Sequence, residues 1–394
     1  MVIETSGQRI IIAGAGIGGL AAALACQKIG RQVRVFERAP ELGEIGAGIM
    51  LTPNSVRCLE HLGLGDALAA VAAEPTESIY RKFDTSEVLM RAGIKDKMRE
   101  TYGAGYYLIH RADLHSILMQ AVLANDSEAI RPGFSVSDVD QSESGVVVHF
   151  ERGDSVAGNV LIGCDGIHSA VRGKLFGKSN PQYTGQSAWR GMVPAEGLQE
   201  SVIEPSMVSW IGEDKHIIQY PVRQGRLINY VAIVVLADWA EEGWNRPAPV
   251  EEVVAEFAEW HPDVLQLLSA TPPDNCYKWG LFVREPLKSW TIGRVTLLGD
   301  AAHPTLPFAA QGSAMAIEDA VILGRTLENY DDADVALKTY ESTRLKRTAW
   351  LVEHARQATK LYQRLHGDKT KERASSVDEI YSYDAIQCPL GASL

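Results

Sequence analysis

Three glycines and one glutamate near the start of the chain have the types and spacing that hold a dinucleotide. Gly14, Gly16 and Gly19 form a G-x-G-x-x-G pattern, and Glu37 follows at the end of the next apolar run. The first glycine permits a tight turn, the second lets the backbone approach a pyrophosphate, and the third lets the following helix pack closely. The glutamate would bind a ribose hydroxyl, and an acid there suits FAD or NAD better than NADP, which carries a 2′-phosphate.

A second candidate for ligand contact stands at Gly299-Asp300. The preceding residues, 295–298, form a short apolar run that predicts a buried strand. Asp300 therefore stands at the carboxyl end of a strand, where open α/β sheets bind their ligands. A helix predicted from Gly312 would direct its first backbone amides towards an electron-rich ligand. Considered alone, the stretch is equally typical of an ordinary strand–loop–helix connection.

The elements that position these residues alternate between strands and helices. Residues 9–13 predict a strand before the glycines, residues 20–29 a helix after them, and residues 33–36 a second strand. Residues 160–163 predict another buried strand, which a polar turn follows. This order is typical of an α/β fold with a parallel sheet.

The rest of the chain has a different pattern. From residue 185 to about 287, strand-like runs follow one another without helical periodicity, which predicts an antiparallel sheet that forms a separate wall. Residues 102–111 are interpreted as a strand with aromatic content. Residues 334–364 predict an amphipathic helix, and the polar tail from Gly367 is interpreted as loosely attached.

Composition sets limits on size, partners and compartment. At 394 residues the chain exceeds the usual size of a single core, so two closely packed domains are expected. A net charge of −12 argues against nucleic acid or an anionic membrane as the main partner. The five scattered cysteines include no C-x-x-C pair, which argues against a zinc site and fits a reduced, cytoplasmic protein. No run indicates a membrane span, and the glycines within residues 10–26 argue against a signal peptide.

Three separated motifs together resemble one family. They are the glycines with Glu37, then Cys164-Asp165-Gly166, and finally Gly299-Asp300 with Pro307 and Gly312. In this order they resemble the single-component FAD-dependent aromatic hydroxylases, which include the p-hydroxybenzoate, salicylate, 3-hydroxybenzoate and 6-hydroxynicotinate monooxygenases. The resemblance covers about residues 9–364. Residues 44–48 and 216–221, with Tyr106, are most similar to the salicylate, 3-hydroxybenzoate and 6-hydroxynicotinate branch.

The resemblance implies a p-hydroxybenzoate hydroxylase-like fold. Such a fold is α/β, with a Rossmann-like FAD-binding βαβ domain and mixed sheet, an antiparallel-sheet substrate domain and C-terminal helices. The expected segments are FAD-binding at 1–75, 106–184 and 288–330, substrate-binding at 76–105 and 185–287, and C-terminal helices and tail at 331–394.

The resemblance also implies which residues contact the cofactor. By this resemblance, the glycines and Glu37 bind the ADP half of FAD. Asp300 binds the ribityl chain, and the loop after Asp300 lies along the flavin ring. The implied FAD contacts are Gly14, Gly16, Gly19, Glu37, Arg38, Gly48, Arg111, Asp165, Gly166, Asp300, Pro307, Gln311 and Gly312. That loop often has the form Pro-x-x-Gly-Gln-Gly in the family, whereas this chain has Ala310 at the first of these glycines. No metal is expected.

The activity implied by the resemblance is hydroxylation of an aromatic ring. NADH or NADPH, with NADH favoured, reduces FAD; O₂ then adds at flavin C4a, and the hydroperoxide attacks an electron-rich ring. A phenol reacts best as the phenolate, and because its pKa is about 10, a base must help to form it. His216 is the implied base, and Tyr220 lies on the same strand face because it is four residues further along.

Further residues are implied around the substrate. Tyr106 and Tyr220 would orient its hydroxyl or carboxylate, so the implied catalytic residues are His216, Tyr220 and Tyr106. The implied substrate-binding residues are Met50, Tyr106, His216, Tyr220, Pro307 and Phe308. His303 is expected to make a structural hydrogen bond, and Arg190 to pair either with a substrate carboxylate or with a surface acid.

The expected substrate is a small hydroxylated aromatic or N-heteroaromatic carboxylic acid of the salicylate, hydroxybenzoate or hydroxynicotinate type. Two alternatives stay open. One is an FAD monooxygenase of a larger polycyclic or quinolone-type ring, and the other is a flavin-binding redox interaction module without turnover. Both a monomer and a homodimer are compatible with the sequence.

Overall fold

A computed structural model describes residues 2–3, 9–43, 46–177, 180–237, 239, 246–362 and 377–391. The strands in these ranges are β1 Val2–Ile3, β2 Arg9–Ala13, β3 Gln32–Glu37, β4 Gly48–Leu51, β5 Glu77–Lys82, β6 Val88–Gly93, β7 Tyr107–His110, β8 Ile130–Pro132, β9 Val136–Ser142, β10 Gly145–Phe150, β11 Ser155–Gly158, β12 Val160–Gly163, β13 Gln182–Pro194, β14 Met207–Ile211, β15 Lys215–Val222, β16 Leu227–Val235, β17 Arg246–Pro247, β18 Cys276–Val283, β19 Thr291–Ile292 and β20 Val295–Leu297. The helices are α1 Ile17–Lys28, α2 Pro53–His61, α3 Gly65–Val71, α4 Lys95–Tyr102, α5 Arg111–Asn125, α6 Ala170–Phe176, α7 Val250–Glu256, α8 Pro262–Ser269, α9 Gly312–Asn329 and α10 Ala333–Tyr362.

A six-stranded mixed sheet brings the three sequence motifs together. Its strand order is β19-β20-β12-β2-β3-β8, and every pairing is parallel except that of β19 with β20. The adjacent strands β2, β12 and β20 all end at the same edge of the sheet. The loops after Ala13, Gly163 and Leu297 therefore lie side by side, although they are far apart in sequence. This arrangement confirms the α/β fold implied by the motifs.

An eight-stranded sheet forms the second wall. Its order is β17-β18-β13-β16-β15-β14-β5-β6, and its pairings are antiparallel except that of β14 with β5, which is parallel. The antiparallel sheet predicted for residues 185–287 is therefore confirmed, and the one parallel pair arises where β5, from an earlier part of the chain, joins this sheet. One face packs against α7 and α8 through a cluster that includes Trp189, Trp210, Phe257 and Leu267. The four-stranded sheet β1-β11-β10-β9 lies apart from this wall.

The aromatic stretch predicted as one strand over residues 102–111 is two elements. Helix α4 ends at Tyr102, and Gly103 terminates it with a left-handed φ of 71°. The strand β7 begins only at Tyr107 and pairs antiparallel with β4. The strand prediction was wrong over residues 102–106, because α4 ends there and a glycine-containing connection leads from it to β7.

Buried ion pairs join the two C-terminal helices. Arg344 of α10 pairs with Glu318 at 2.8 Å and with Asp319 at 2.6 Å, both on α9, and all three side chains are fully buried. Arg347 makes a further ion pair with Glu318 at 3.0 Å. Charges at this depth are tolerated because each has an opposite charge and hydrogen bonds. This cluster anchors the helix that begins at the cavity described below.

The described C-terminal residues, 377–391, are docked, contrary to the loosely attached tail expected from Gly367. Residues 363–376 lie outside the described residues, but residues 377–391 pack against the protein. Arg325 of α9 donates hydrogen bonds to the carbonyl oxygens of Ala385 at 2.8 Å and Cys388 at 2.9 Å, and Ile380 is buried. The expectation was wrong for this segment because its anchors are scattered single residues within a polar composition.

Candidate active site

A cavity of about 2170 Å³ is lined by residues of both the six-stranded and the eight-stranded sheet. Pockets for one small molecule usually measure about 300–1,000 Å³, so this cavity has room for a large cofactor together with a substrate. The implied cofactor residues that line it are Gly14, Gly16, Glu37, Arg38, Gly48, Arg111, Asp165, Gly166, Asp300, Pro307 and Gly312. Gly19 and Gln311 do not.

The glycine loop leaves no room for a side chain at two of its glycines. Gly14 has a φ of +102°, and a Cβ atom there would lie 2.4 Å from the carbonyl oxygen of Cys164. A Cβ atom at Gly19 would lie 2.0 Å from the carbonyl oxygen of Gly14, so this glycine lets α1 approach the loop. At Gly16 no described atom lies within 4 Å of a Cβ position, and the residue faces the cavity. Gly16 is thus where the backbone is open to a ligand.

Two side chains hold the glycine loop in place. The Glu37 carboxylate accepts hydrogen bonds from the backbone N–H groups of Ala15 at 2.8 Å and Ala39 at 2.9 Å, one on each oxygen. Each carboxylate oxygen can accept a second hydrogen bond, as ribose binding requires. His115 bonds with the carbonyl oxygen of Ala15 at 2.7 Å. It was not predicted, although its position one helical turn after Arg111 places both side chains on one face of α5.

The turn after β12 is built around Asp165. Its carboxylate accepts hydrogen bonds from the hydroxyl of Ser169 and from the backbone N–H groups of Ala170 at 2.7 Å and Val171 at 3.1 Å. Burial raises the pKa of Asp165, and these hydrogen bonds lower it. The carboxylate thus caps α6, and Gly166, Ile167 and His168 of this turn line the cavity.

Asp300 opens into the cavity at the end of β20. The side chain is exposed only to the cavity; enclosure by protein raises the pKa of its carboxyl, while His303 and Arg111 lower it. Asp319 holds this turn, because it accepts a hydrogen bond from the backbone N–H of Gly299 at 3.1 Å and bonds with His303 at 2.7 Å. Burial alone would raise the pKa of Asp319, but His303 and Arg344 lower it to about 2. His303 thus makes the structural hydrogen bond expected of it.

The loop before α9 contains an alanine in a conformation that glycine prefers. Ala310 has φ 54° and ψ 30°, in the left-handed region. The next side chain, Gln311, turns away from the cavity: its amide group donates to the Thr52 hydroxyl at 3.1 Å and accepts from Asn54 at 3.0 Å. The side chain of Gln311 therefore holds the loop in place instead of facing the cavity.

Replacing Ala310 with glycine should stabilise the protein. The left-handed region costs a residue with a side chain about 1–2 kcal/mol, and the greater freedom of glycine in the unfolded chain offsets part of this gain. We expect the free energy of unfolding to rise by up to about 1 kcal/mol, measured by urea denaturation of the FAD-loaded protein. Ala309→Gly, one residue earlier without a positive φ, is the control and should lose stability. A lower free energy of unfolding in Ala310→Gly would contradict the inference that the backbone at Ala310 is strained.

The inner face of the eight-stranded sheet supplies the opposite wall of the cavity. Alternate residues of β15 and β16 face it in cross-strand pairs: His216 with Ile233, Ile218 with Val231, and Tyr220 with Asn229. His216 and Tyr220 are separated by about 13 Å along the strand. Between them lies an apolar floor formed by Ile218 and Val231. This spacing matches one aromatic ring with a polar group at either end.

His216 stands at one end of this floor, buried beside the loop that follows Asp300. Its ring centroid is 5.9 Å from that of Phe308. Burial lowers the pKa of His216 to about 4, so the imidazole is neutral at physiological pH and carries a lone pair that accepts a proton. In this state the ring can accept a hydrogen bond or a proton from a substrate hydroxyl. His216 and Phe308, two of the implied substrate-binding residues, thus lie next to each other at this end of the cavity.

Tyr106 and Arg190 also line the cavity. The Tyr106 hydroxyl donates to the sulfur of Met50 at 3.1 Å, which links two of the implied substrate residues. Arg190 is buried, with its guanidinium 5.1 Å from the ring centroid of Tyr277 and 5.7 Å from that of Trp279. Arg190 is therefore a buried residue of the cavity wall.

Gly48 joins the cofactor half to the substrate wall. Its backbone N–H donates to Oδ1 of Asn229 at 2.8 Å. A Cβ atom at Gly48 would lie 2.7 Å from both Cγ of Asn229 and Cε2 of Tyr220. Asn229 was not predicted, although it is a polar residue within an otherwise apolar strand. The contact fixes Tyr220 relative to β4.

Gly48→Ala should therefore displace Tyr220 while leaving the glycine loop intact. Since misplacement of a substrate-contacting group by about 1 Å can cost up to about a hundredfold in rate, we expect the turnover per bound FAD to fall at least about tenfold. The control is Gly46→Ala, where a Cβ atom would meet the nearest described atom, Nε2 of His110, at an ordinary 3.5 Å. Equal activity of the two variants would contradict the role of the Gly48 contact.

Fold and cavity define a flavoprotein of the p-hydroxybenzoate hydroxylase type. The open backbone at Gly16 fits the pyrophosphate of FAD, and the Glu37 carboxylate, which accepts two backbone hydrogen bonds, fits the ribose. The first turn of α9 fits the flavin end, and Asp300 lies between these two parts of the site. The chain matches the family of FAD-binding domains over residues 8–355 and belongs to it. No helix among the described residues is long and apolar enough to cross a membrane.

Curated relatives place the chain in one branch of this family. It is 36% identical to the 3-hydroxybenzoate 6-hydroxylase 1 of Aquipseudomonas alcaligenes, over 89% of this chain and 88% of that one. It is 34% identical to the 6-hydroxynicotinate 3-monooxygenase of Pseudomonas fluorescens, over 97% and 96%. A salicylate hydroxylase in complex with substrate superposes with a TM-score of 0.80 at 27% identity, over 97% of each chain. The chain is an FAD-dependent aromatic hydroxylase, as the three motifs indicated.

Proposed function

We propose that this protein uses O₂ and NADH or NADPH to hydroxylate a small hydroxylated aromatic or N-heteroaromatic carboxylic acid, with His216 as the base that activates the ring. One observation carries the proposal. A neutral, buried imidazole and a tyrosine hydroxyl stand at opposite ends of an apolar floor that faces the FAD motifs. The relatives named after 3-hydroxybenzoate and 6-hydroxynicotinate support a substrate of this size.

The cofactor and the residues of the cavity have separate roles in this reaction. FAD, when bound, carries two electrons from the nicotinamide to O₂ and so supplies the activated oxygen. His216 accepts the proton of the ring hydroxyl, which raises the electron density of the ring. Ile218 and Val231 hold the ring flat and exclude water from it. The proton taken up by His216 leaves when the hydroxylated product is released.

The other end of the floor suits the carboxylate. Burial raises the pKa of Tyr220, so its phenol stays protonated and donates a hydrogen bond. The hydroxyl has no hydrogen-bond partner among the described residues, although it belongs to a side chain that is only 2% exposed. We assign this donor to the substrate carboxylate, with Tyr106 beside it and Arg190 supplying positive charge from a neighbouring strand. NADH is proposed over NADPH on the resemblance to this branch.

The dependence of the rate on pH should reflect the low pKa of His216. Because that pKa is lowered from 6.5 to about 4, the base form persists at all pH values above about 4. We expect kcat/KM, which reports the free enzyme, to show no acidic limb between pH 5 and 8. A loss of activity centred near pH 6.5 that is absent from the residual activity of a His216→Ala variant would contradict this expectation.

The proposal is tested by following NADH and NADPH oxidation by the FAD-loaded protein, with product analysis. The probes are salicylate, 3-hydroxybenzoate, 4-hydroxybenzoate, 6-hydroxynicotinate and a hydroxylated two-ring acid, 3-hydroxy-2-naphthoate. Stimulated oxidation with a hydroxylated single-ring product is expected. Hydroxylation of the two-ring acid alone would favour the larger-ring alternative. Bound flavin with no response to any aromatic compound would favour the interaction module.

A further inference from the structure

We propose that the C-terminal segment, residues 377–391, is a fixed wall of the substrate cavity, and that Tyr381 on it sets the size of the ring admitted by supporting Tyr106. The inference rests on the proposed function and specifies its substrate range. The segment lies beyond residues 8–355, the range that the chain shares with the FAD-binding-domain family.

The C-terminal segment is held at its backbone by arginines from three helices. Arg57 of α2 donates to the carbonyl oxygens of Tyr381 at 2.7 Å and Tyr383 at 2.6 Å. Arg347 of α10 donates to the carbonyl oxygen of Ile380 at 3.1 Å, and Arg325 of α9 to those of Ala385 and Cys388. Hydrogen bonds from charged donors are the stronger kind. Backbone carbonyls bound in this way fix the path of the segment independently of its own side chains.

Side-chain contacts complete the attachment. The Arg347 guanidinium lies 3.9 Å from the ring centroid of Tyr383, a favourable cation–π contact in a buried setting. The Tyr102 hydroxyl donates to Asp378 at one end of the segment, and the backbone N–H of Gly391 donates to the Thr343 hydroxyl at 2.8 Å at the other. The C-terminal segment is thus attached along its whole length.

The first part of the segment faces the cavity. The lining residues are Val377, Asp378, Glu379, Ile380 and Tyr381. The Tyr381 ring packs edge-on against Tyr102, with centroids 5.5 Å apart, and against Tyr106, with centroids 6.2 Å apart. Edge-to-face pairs at these distances are attractive and resist sliding. Tyr381 is therefore a positioning residue for Tyr106 and at the same time a steric limit of the cavity.

Tyr381→Ala tests the wall by a change in ring preference. The dissociation constants of 3-hydroxybenzoate and 3-hydroxy-2-naphthoate are measured from the change in flavin absorption that ligand binding causes. We expect the preference for the single ring over the double ring to fall about tenfold, the factor that one aromatic contact accounts for. Tyr381→Phe, which keeps the ring, should retain the wild-type preference.

Ile386→Ala is the matched control, because Ile386 belongs to the same segment but packs against the core of the FAD half and does not line the cavity. It should keep the wild-type ring preference even if it lowers stability. An unchanged preference in a folded, FAD-loaded Tyr381→Ala variant would overturn the proposal.

A second measurement separates this proposal from the proposed function. If the wild-type protein binds both acids but hydroxylates neither, the proposed function fails. The ring preference still tests whether Tyr381 limits the size of the bound ring. If it binds neither acid, iodide quenching of the flavin fluorescence decides, since removal of a wall exposes the flavin. Quenching should increase in Tyr381→Ala and not in Ile386→Ala. Equal quenching in Tyr381→Ala and the wild type would overturn the proposal that Tyr381 forms a wall of the cavity.

Discussion

Gly14→Val should give a protein that is purified without FAD. The φ of +102° at Gly14 excludes a β-branched residue, and a Cβ atom there would lie 2.4 Å from the carbonyl oxygen of Cys164. The backbone of Cys164, directly after β12, cannot yield to this contact without disturbing its hydrogen bond with Ala13 and the adjacent pairing of Ala13 with Gly163. The loop must move instead, and the turn that would hold the pyrophosphate is lost. The ratio of flavin to protein absorbance in the purified protein measures the effect.

Gly16→Ala is the informative control. Gly16 has an ordinary φ of −72°, and a Cβ atom there would meet no described atom within 4 Å. The apoprotein should therefore be as stable as the wild type, whereas FAD should bind more weakly because the new methyl group points to the ligand. A Gly14→Val variant that is purified with a full complement of FAD would contradict the assignment of this loop to FAD binding. If Gly16→Ala bound FAD as tightly as the wild type, the assignment of the pyrophosphate to the position beside Gly16 would be contradicted.

His216→Ala should lower hydroxylation by about a hundredfold or more while FAD stays bound. Loss of a positioned general base typically costs about 10²–10⁴-fold. The imidazole is buried and neutral, so it is in the state that takes a proton from the substrate. FAD binding should persist because the implied contacts of the ADP half lie on β2, β3 and their loops. The comparison is between the kcat for product formation and the FAD content of the two proteins.

His149→Ala is the control for histidine removal, because His149 is an exposed residue of β10 that bonds with Asp140 and does not line the cavity. It should turn over at the wild-type rate. If His216→Ala did so too, His216 would have no part in the reaction. A parallel loss of FAD from His216→Ala would show instead that the residue supports the fold.

The cofactor half of the fold could be predicted because each of its signals is local. A buried strand, a glycine turn and a helix within residues 9–29 specify one another through short-range geometry. The parallel pairing of β2, β12 and β20 then brings Gly16, Asp165 and Asp300 to one edge. The strand periodicity of β15 likewise places His216 and Tyr220 on one face.

The remaining features depend on contacts between distant parts of the chain. The Gly48–Asn229 contact joins residues 181 positions apart, and no local pattern marks it. The side chain of Gln311 turns inwards because Thr52 and Asn54 offer hydrogen bonds there. The docking of residues 377–391 depends on Arg57, which lies in the first sixth of the chain. Such pairings become visible only when the fold is assembled.

The central claim is that one atom of O₂ enters the aromatic ring. The balanced reaction converts a ring C–H, O₂, NADH and a proton into a ring C–OH, NAD⁺ and water. The direct measurement is the mass of the product formed from the accepted substrate under isotope-labelled O₂ in ordinary water. The account predicts one labelled oxygen per product molecule and one NADH consumed per product formed. An unlabelled product, or NADH oxidation that yields only hydrogen peroxide with the accepted substrate bound, would contradict it.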